Sequence, residues 1–103
     1  MLYDFTQEAP SSIMAHVAES FKRRRLEKGY SRQFLAAASG VPAPTIARFE
    51  QKHAISFESL VKLAQTMGYG EILKNIFDKQ FYSTIEELDT INRNKNRKRG
   101  DKK

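Results

Sequence analysis

Apolar residues recur at helical spacing along most of the chain. Near the start, a repeat at i, i+3, i+4 and i+7 is typical of a helix that buries one stripe. The residues of this predicted stripe are Met14, Val17, Ala18 and Phe21. Ser11 or Ser12 can cap the start of the helix, and Gly29 is suited to end it near Lys28.

Two shorter helices follow, with a tight turn between them. Ser31 is placed to cap the second helix, and Gly40 ends it after about two turns. Its inward side chains are predicted to be Phe34, Leu35 and Ala38. Pro42 or Pro44 fits the first turn of a third helix, where a missing N–H costs nothing. Ile46 and Phe49 mark the inner face of this helix, which reaches about Gln51.

The pattern predicts three more helices. Ser56 caps the fourth and Gly68 closes it; its inner face is predicted to hold Phe57, Leu60, Val61, Ala64 and Met67. The fifth spans residues 71–77, with a stripe made of Ile72, Leu73, Ile76 and Phe77. Residues 79–82 are aromatic and predicted to be extended. Ser83 and Glu86 then form a capping box for a last helix that ends near Asn92.

The two ends lack this periodicity. Residues 1–10 are interpreted as an arm that could form a short strand. Residues 92–103 hold seven basic residues and one acidic residue, whereas the other 91 residues hold eleven of each, so the net charge of +6 lies entirely at this end. Such a segment cannot bury enough apolar surface to order itself. We therefore expect an arm (1–10), an all-α domain (11–78), an aromatic segment with a short helix (79–92) and a disordered basic tail (93–103).

Composition excludes several classes of protein. No apolar run approaches the ~20 residues of a membrane span, and Asp4, Gln7, Glu8 and Pro10 interrupt any signal-peptide core. The absence of cysteine fits a cytoplasmic location and excludes disulfides and thiolate metal sites. The two histidines have no metal-ligand spacing with carboxylates, and no catalytic or phosphate-loop motif is present. We expect no metal, no cofactor and no enzymatic activity.

Two charged residues fall on faces that should be buried. Arg25 lies at i+4 from Phe21 in the first helix, and Glu50 lies at i+4 from Ile46 in the third. A buried charge is tolerated only when it is paired. Arg25 and Glu50 are therefore predicted to pair with each other.

The short helix, the turn containing Gly40 and the next helix have the helix-turn-helix arrangement. Residues 17–68 resemble Cro/C1 repressor-type (XRE) helix-turn-helix domains; the resemblance rests on Arg25, Gly29, Ser31, Leu35, Ala36, Gly40, Val41, Thr45, Ile46, Glu50, Ser56, Leu60, Leu63, Ala64 and Gly68. The resemblance implies a five-helix domain in which the Arg25–Glu50 pair is a structural clamp. Because one such domain makes few base contacts and two-fold symmetry doubles them, we expect a homodimer on a palindromic operator in double-stranded DNA.

The resemblance further implies a set of DNA contacts. Arg32 and Gln33 would meet phosphate, and Lys52 with His53 would touch the backbone from the following loop. The third helix would present to the major groove Ala43, Pro44, Thr45, Ala47, Arg48 and Gln51. Because Ala43 and Pro44 have no side-chain donor, base recognition would fall mainly to Arg48, Thr45 or Gln51. The same feature leaves open a protein-interaction module that does not read DNA.

The C-terminal region has a looser resemblance. Phe81 and Tyr82, the acidic Ile85–Leu88 stretch and the basic end are similar to HipB-like regulators that accompany HipA-type serine/threonine kinases. This resemblance implies an autorepressing antitoxin that sequesters a kinase toxin. The alternative is a free-standing or phage-type repressor. In each case we expect a cytoplasmic, nucleoid-associated protein.

Overall fold

The computed structural model of the protein describes residues 8–100. These residues form six helices and no strand, which confirms the all-α class. The helices are α1 (Pro10–Glu27), α2 (Arg32–Ser39), α3 (Ala43–Lys52), α4 (Phe57–Met67), α5 (Gly70–Lys74) and α6 (Ile85–Asn94). Helices α1–α5 belong to a compact unit of residues 8–78, and α6 belongs to a second unit, described from residue 79 to residue 100.

Local chemistry sets most of the helix boundaries in the first unit. The Ser31 hydroxyl accepts a hydrogen bond from the Phe34 N–H (2.9 Å), and the Ser56 hydroxyl accepts one from the Ser59 N–H (3.1 Å). Both predicted serine caps are thereby confirmed. Gly40 ends α2 in the left-handed region, at φ +83°, which glycine adopts at no steric cost. A Cβ at Gly40 would meet nothing within 4 Å, so conformation and not space favours glycine there.

The predicted start of α1 is wrong. Neither Ser11 nor Ser12 is its N-cap; the N-cap is Ala9, which makes no side-chain capping bond, and Pro10 is the first helical residue. Proline suits this position because its fixed φ is already helical and its missing N–H would have had no partner. The predicted arm therefore loses Pro10 to the helix, and residues 1–7 of that arm lie outside the described residues.

The core of the first unit joins four helices and one turn. Helix α1 packs on α3, α2 packs on both α3 and α4, and α4 packs on α5. The buried apolar side chains are Ala18, Leu35, Val41, Ile46, Phe49, Leu63 and Met67. The Phe21 and Phe49 rings lie 5.3 Å apart and tie α1 to α3.

Several stripe residues predicted to be buried are exposed. In α1 these are Met14 and Val17; elsewhere they are Phe34, Ala38, Phe57, Ile72, Ile76 and Phe77. Nothing within the described part of the chain covers these side chains fully. Periodicity identifies the side chains that share a face, and whether a second element covers that face is a separate matter.

The end of α5 and the second unit also differ from expectation. Helix α5 ends at Lys74, and residues 75–78 form turns. Residues 79–82, predicted to be extended, belong to neither a helix nor a strand. The capping residue of α6 is Thr84, not Ser83, because the Thr84 hydroxyl accepts from the Glu87 N–H at 3.0 Å. The Glu87 carboxylate accepts from the Ser83 N–H at 2.6 Å, so the capping box is shifted by one residue from the predicted Ser83 and Glu86.

Helix α6 also continues two residues past its predicted end. It includes Arg93 and Asn94, so the prediction that both belong to a disordered tail is wrong. Arg93 donates to the Thr90 hydroxyl at 3.2 Å, and a basic residue in the last turn interacts favourably with the helix dipole. Residues 101–103 of the predicted tail lie outside the described residues.

None of the helices within residues 8–100 is long and apolar enough to cross a membrane.

Candidate nucleic-acid interface

A three-residue turn sets the geometry of α2 and α3. The Gly40 N–H closes α2 by donating to the Ala36 carbonyl at 2.9 Å. The Val41 N–H then donates to the Ser39 hydroxyl at 3.1 Å, and the Val41 side chain is buried in the core. Pro42 is the N-cap of α3. The turn is thus anchored at both ends, which gives α3 a defined position on α2.

Helix α3 has one buried and one exposed side. Ile46, Phe49 and Glu50 are buried. The exposed residues of α3 are Pro44, Arg48, Gln51 and Lys52, and the half-buried ones are Ala43, Thr45 and Ala47. Glu50 is the only carboxylate in the helix, and it points inward. The outer side therefore presents hydrogen-bond donors and positive charge without a negative side chain.

Glu50 is held by a buried pair with Arg25. The Arg25 Nε donates to Glu50 Oε2 at 2.6 Å, and its Nη2 donates to Oε1 at 2.9 Å. The Arg25 Nη1 donates to the Tyr30 carbonyl at 2.8 Å, which connects the end of α1 to the start of α2. A two-bond arginine–carboxylate fork fixes orientation as well as distance. The pair inferred from the helical period is present in the structure.

Arg32 is a third member of this cluster, which the sequence did not indicate. Its Nε and Nη2 both donate to Glu50 Oε1, at 3.1 and 2.9 Å. Its side chain is 31% exposed, whereas the Glu50 side chain is fully buried. Arg32, for which the resemblance implies a phosphate contact, thus also stabilises the Arg25–Glu50 pair. No rule of sequence spacing pairs the first residue of α2 with the eighth residue of α3, so only the structure reveals the contact.

The pKa of Glu50 reflects this environment. Burial alone would raise it, but the hydrogen bonds from Arg25, then those from Arg32, and the charges of both arginines together hold the pKa of Glu50 below its ordinary value of 4.5. Glu50 is therefore ionised at neutral pH and neutralised by two guanidinium groups.

The remaining predicted contact residues flank the two helices. Gln33 lies on the first turn of α2 and is exposed, and Lys52 is the exposed last residue of α3. His53 ends α3 at φ +65°, a left-handed conformation that is uncommon for a residue with a side chain. Its N–H donates to the Phe49 carbonyl at 2.9 Å, and its side chain is half-buried. The sequence places His53 in a loop but gives no sign that it terminates the helix.

The two helices, their anchored turn and the exposed donor side of α3 define a helix-turn-helix DNA-binding unit. A helix-turn-helix family model matches residues 21–72, which is 52 of the 103 residues. The chain belongs to this family, in its XRE type, and is a DNA-binding regulator. Comparisons with curated proteins and with solved structures gave no match.

Proposed function

We propose that the protein is a homodimeric, sequence-specific repressor that binds a palindromic operator, its own promoter included. The observation that carries this proposal is the distribution of charge on α3. The only carboxylate of the helix is buried between two arginines, and its outer side offers Arg48, Gln51 and Lys52. A helix that enters the major groove needs donors for base edges and no negative charge near phosphate.

Each part of this surface has a distinct role in the proposal. Arg48 donates to guanine, Thr45 and Gln51 supply further polar contacts, and the Ala43 and Ala47 methyl groups meet thymine methyls. Pro44 offers only apolar contact. The phosphate contacts are made by Arg32, Gln33, Lys52 and His53. With few base donors, part of the specificity comes from DNA shape.

Dimerisation follows from the small number of these contacts. One domain reads only a few base pairs, whereas two copies related by a two-fold axis read half-sites ~34–36 Å apart. The protein would act in the cytoplasm, at the nucleoid.

A gel-shift experiment tests this function directly. Full-length protein is titrated onto the DNA upstream of its own reading frame and onto the same DNA with a shuffled sequence. We expect binding to the upstream DNA at least ~10³-fold tighter at physiological salt. Equal affinity for the two DNAs would contradict sequence-specific binding, and no binding to either DNA would support the protein-interaction module that does not read DNA.

The second unit supports a further, antitoxin role as a HipB-like partner of a HipA-type serine/threonine kinase. Phe81 is 85% exposed, Ile85 is 72% exposed, and Tyr82 also lies open. Exposed aromatic and aliphatic side chains beside an ordered helix are of the kind that anchor protein interfaces. In this proposal the protein sequesters the kinase and represses its own operon; without a kinase it is a free-standing or phage-type repressor.

Pull-down of a kinase encoded beside the gene tests the antitoxin role. We expect capture by the full chain, strong loss of capture with Phe81→Ala/Tyr82→Ala, and no loss with Phe57→Ala, an exposed phenylalanine in the other unit. Capture of the kinase by the Phe81→Ala/Tyr82→Ala variant would show that the kinase does not bind through these two aromatic residues. A gene without a kinase neighbour would favour the free-standing repressor.

A further inference from the structure

Arg32 bonds to a carboxylate that is already paired. The buried Arg25 forms a two-bond fork with both oxygens of Glu50, so the charge of Glu50 is neutralised without Arg32. Two arginines and one carboxylate leave the cluster with a surplus positive charge. Because the Arg25 and Glu50 side chains are 6% and 0% exposed and that of Arg32 is 31% exposed, solvent reaches this surplus charge mainly at Arg32.

The contact between Arg32 and Glu50 adds little to stability. Arg32 is the first residue of α2, and a cation is unfavourable at the N-terminus of a helix, which carries a partial positive charge. The first turn of α2 has no acidic residue to offset it. A partly exposed ion pair also contributes little to the free energy of unfolding. The clearer consequence of the two hydrogen bonds is that they hold the Arg32 side chain in one orientation.

The guanidinium group of Arg32 uses only one of its edges in this contact. Nε and Nη2 share an edge of the planar group, and both donate to Glu50 Oε1. The end edge, formed by Nη1 and the second hydrogen of Nη2, has no acceptor within the described part of the chain. An arginine edge with two N–H groups matches two oxygens of a phosphate. One edge of Arg32 is thus fixed in the protein, and another is available to DNA.

We propose that Glu50 is a positioning residue for DNA binding: it holds one edge of Arg32 so that the end edge meets a DNA phosphate. This inference rests on the proposed function, in which Arg32 contacts phosphate. A long side chain that is held before binding loses less conformational freedom on binding. Glu50 lies on α3, two residues after Arg48, so its bond to Arg32 also fixes the phosphate contact of α2 relative to the helix that reads bases.

A double-mutant cycle on DNA affinity tests this role. Arg25→Met/Glu50→Leu, the anchor-free variant, removes one charge of each sign, so the net charge is unchanged. The probe is a short DNA duplex of random sequence, because a phosphate contact does not depend on sequence. We expect the anchor-free variant to bind it on the order of 10-fold more weakly than the wild type. In the Arg32→Ala background, the same two substitutions should change affinity by less than about 2-fold.

Lys52→Ala is the matched control background. Lys52 is an exposed cation at the end of α3, is also proposed to contact phosphate, and forms no ion pair with Glu50 in the described structure. In this background, loss of the anchor should still weaken binding on the order of 10-fold. Similar losses in the Arg32→Ala and Lys52→Ala backgrounds would mean that Glu50 acts by placing the whole of α3, and would overturn the positioning role.

Arg32→Lys tests the same role with the Arg25–Glu50 pair intact. Lysine keeps the positive charge but has no edge of two N–H groups with which to bond Glu50. Circular dichroism and thermal denaturation should show the helices and nearly the melting temperature of the wild type, while affinity for the duplex falls on the order of 10-fold. Wild-type affinity would mean that charge alone suffices, and would overturn the proposal whether or not the anchor-free variant folds.

The random duplex separates this inference from the repressor function. Coupling between Glu50 and Arg32 on random DNA, with no preference for the operator, would contradict the repressor function and leave the positioning role intact. A preference for the operator with purely additive substitutions would do the reverse. A wild type that binds neither DNA would overturn both.

Discussion

In the proposed function, sequence recognition depends most on Arg48. It is the only arginine on the exposed side of α3. Arg48→Ala should lower operator affinity by ~1–3 kcal/mol and leave affinity for random DNA nearly unchanged, because a bidentate arginine–guanine contact discriminates between bases. Titration of both DNAs at one salt concentration measures the difference. Equal losses on the two DNAs would make Arg48 a phosphate contact.

Glu50, on the buried side of α3, stabilises the fold through its ion pair with Arg25. Glu50→Ala should lower the free energy of unfolding by ~3–5 kcal/mol, since it leaves the buried Arg25 without a counter-charge. Replacing both residues by well-packed apolar side chains should recover much of this stability. Arg32→Ala should cost less than Glu50→Ala, because Arg32 is partly exposed and Arg25 still neutralises Glu50. Thermal denaturation of the variants gives the order of their stabilities. A Glu50→Ala variant as stable as the wild type would contradict the role of the Arg25–Glu50 pair as a structural clamp.

The lowered pKa of Glu50 gives stability a pH dependence. A carboxyl group whose folded-state pKa lies below its unfolded value of 4.5 stabilises the fold above that pH, and this contribution is lost as the pH falls through the folded-state pKa. We expect the melting temperature of the wild type to fall on acidification below about pH 4.5. Glu50→Gln should be less stable at pH 7 and should lose less on acidification. Parallel curves for the two proteins would mean that Glu50 does not carry this effect.

At the scale of the helices, two serines are N-caps, and a third, Ser11, was a predicted N-cap but is not one. Ser31 and Ser56 each accept a backbone hydrogen bond, whereas Ser11 lies inside the first turn of α1 and is not its cap. Ser31→Ala and Ser56→Ala should each cost ~1 kcal/mol, or about 4–8 °C in melting temperature. Ser11→Ala is the matched control and should have almost no effect. A destabilisation at Ser11 as large as that at Ser56 would contradict the start of α1 at Pro10.

At the scale of the whole protein, the excess positive charge lies at the C-terminal end. Residues 95–103, past the end of α6, carry six basic residues and one acidic residue. Removing them should leave the melting temperature nearly unchanged and weaken binding to operator and random DNA alike. The slope of log K against log[salt] should become shallower by about 0.9 for each phosphate that these residues neutralise in the full-length protein.

A shuffled tail of the same composition is the control for this truncation. It should restore affinity, because the attraction between a basic segment and phosphate does not depend on the order of its residues. A shuffled tail that fails to restore binding would mean that residues 95–103 make specific contacts.

The succession of helices can be predicted from the amino-acid sequence, because the signals that start and stop them are local. A serine hydroxyl reaches an N–H three residues away, and a glycine adopts a positive φ without help from the rest of the chain. The same local periodicity places Arg25 and Glu50 on inner faces and indicates their pairing, since a buried charge has few alternatives. Much of the candidate site is therefore predictable, including the helix-turn-helix and the exposed position of Arg48.

The packing of the helices determines which apolar faces are covered and which distant side chains meet. Val17 and Ile72 have the spacing of core residues, yet they line an open groove, because spacing says nothing about the presence of a covering element. Arg32 has the sequence position of a free cation at the start of α2, and its contact with Glu50 depends on how α2 and α3 pack. Contacts between residues far apart in sequence depend on the positions of entire helices, and no local pattern encodes those positions.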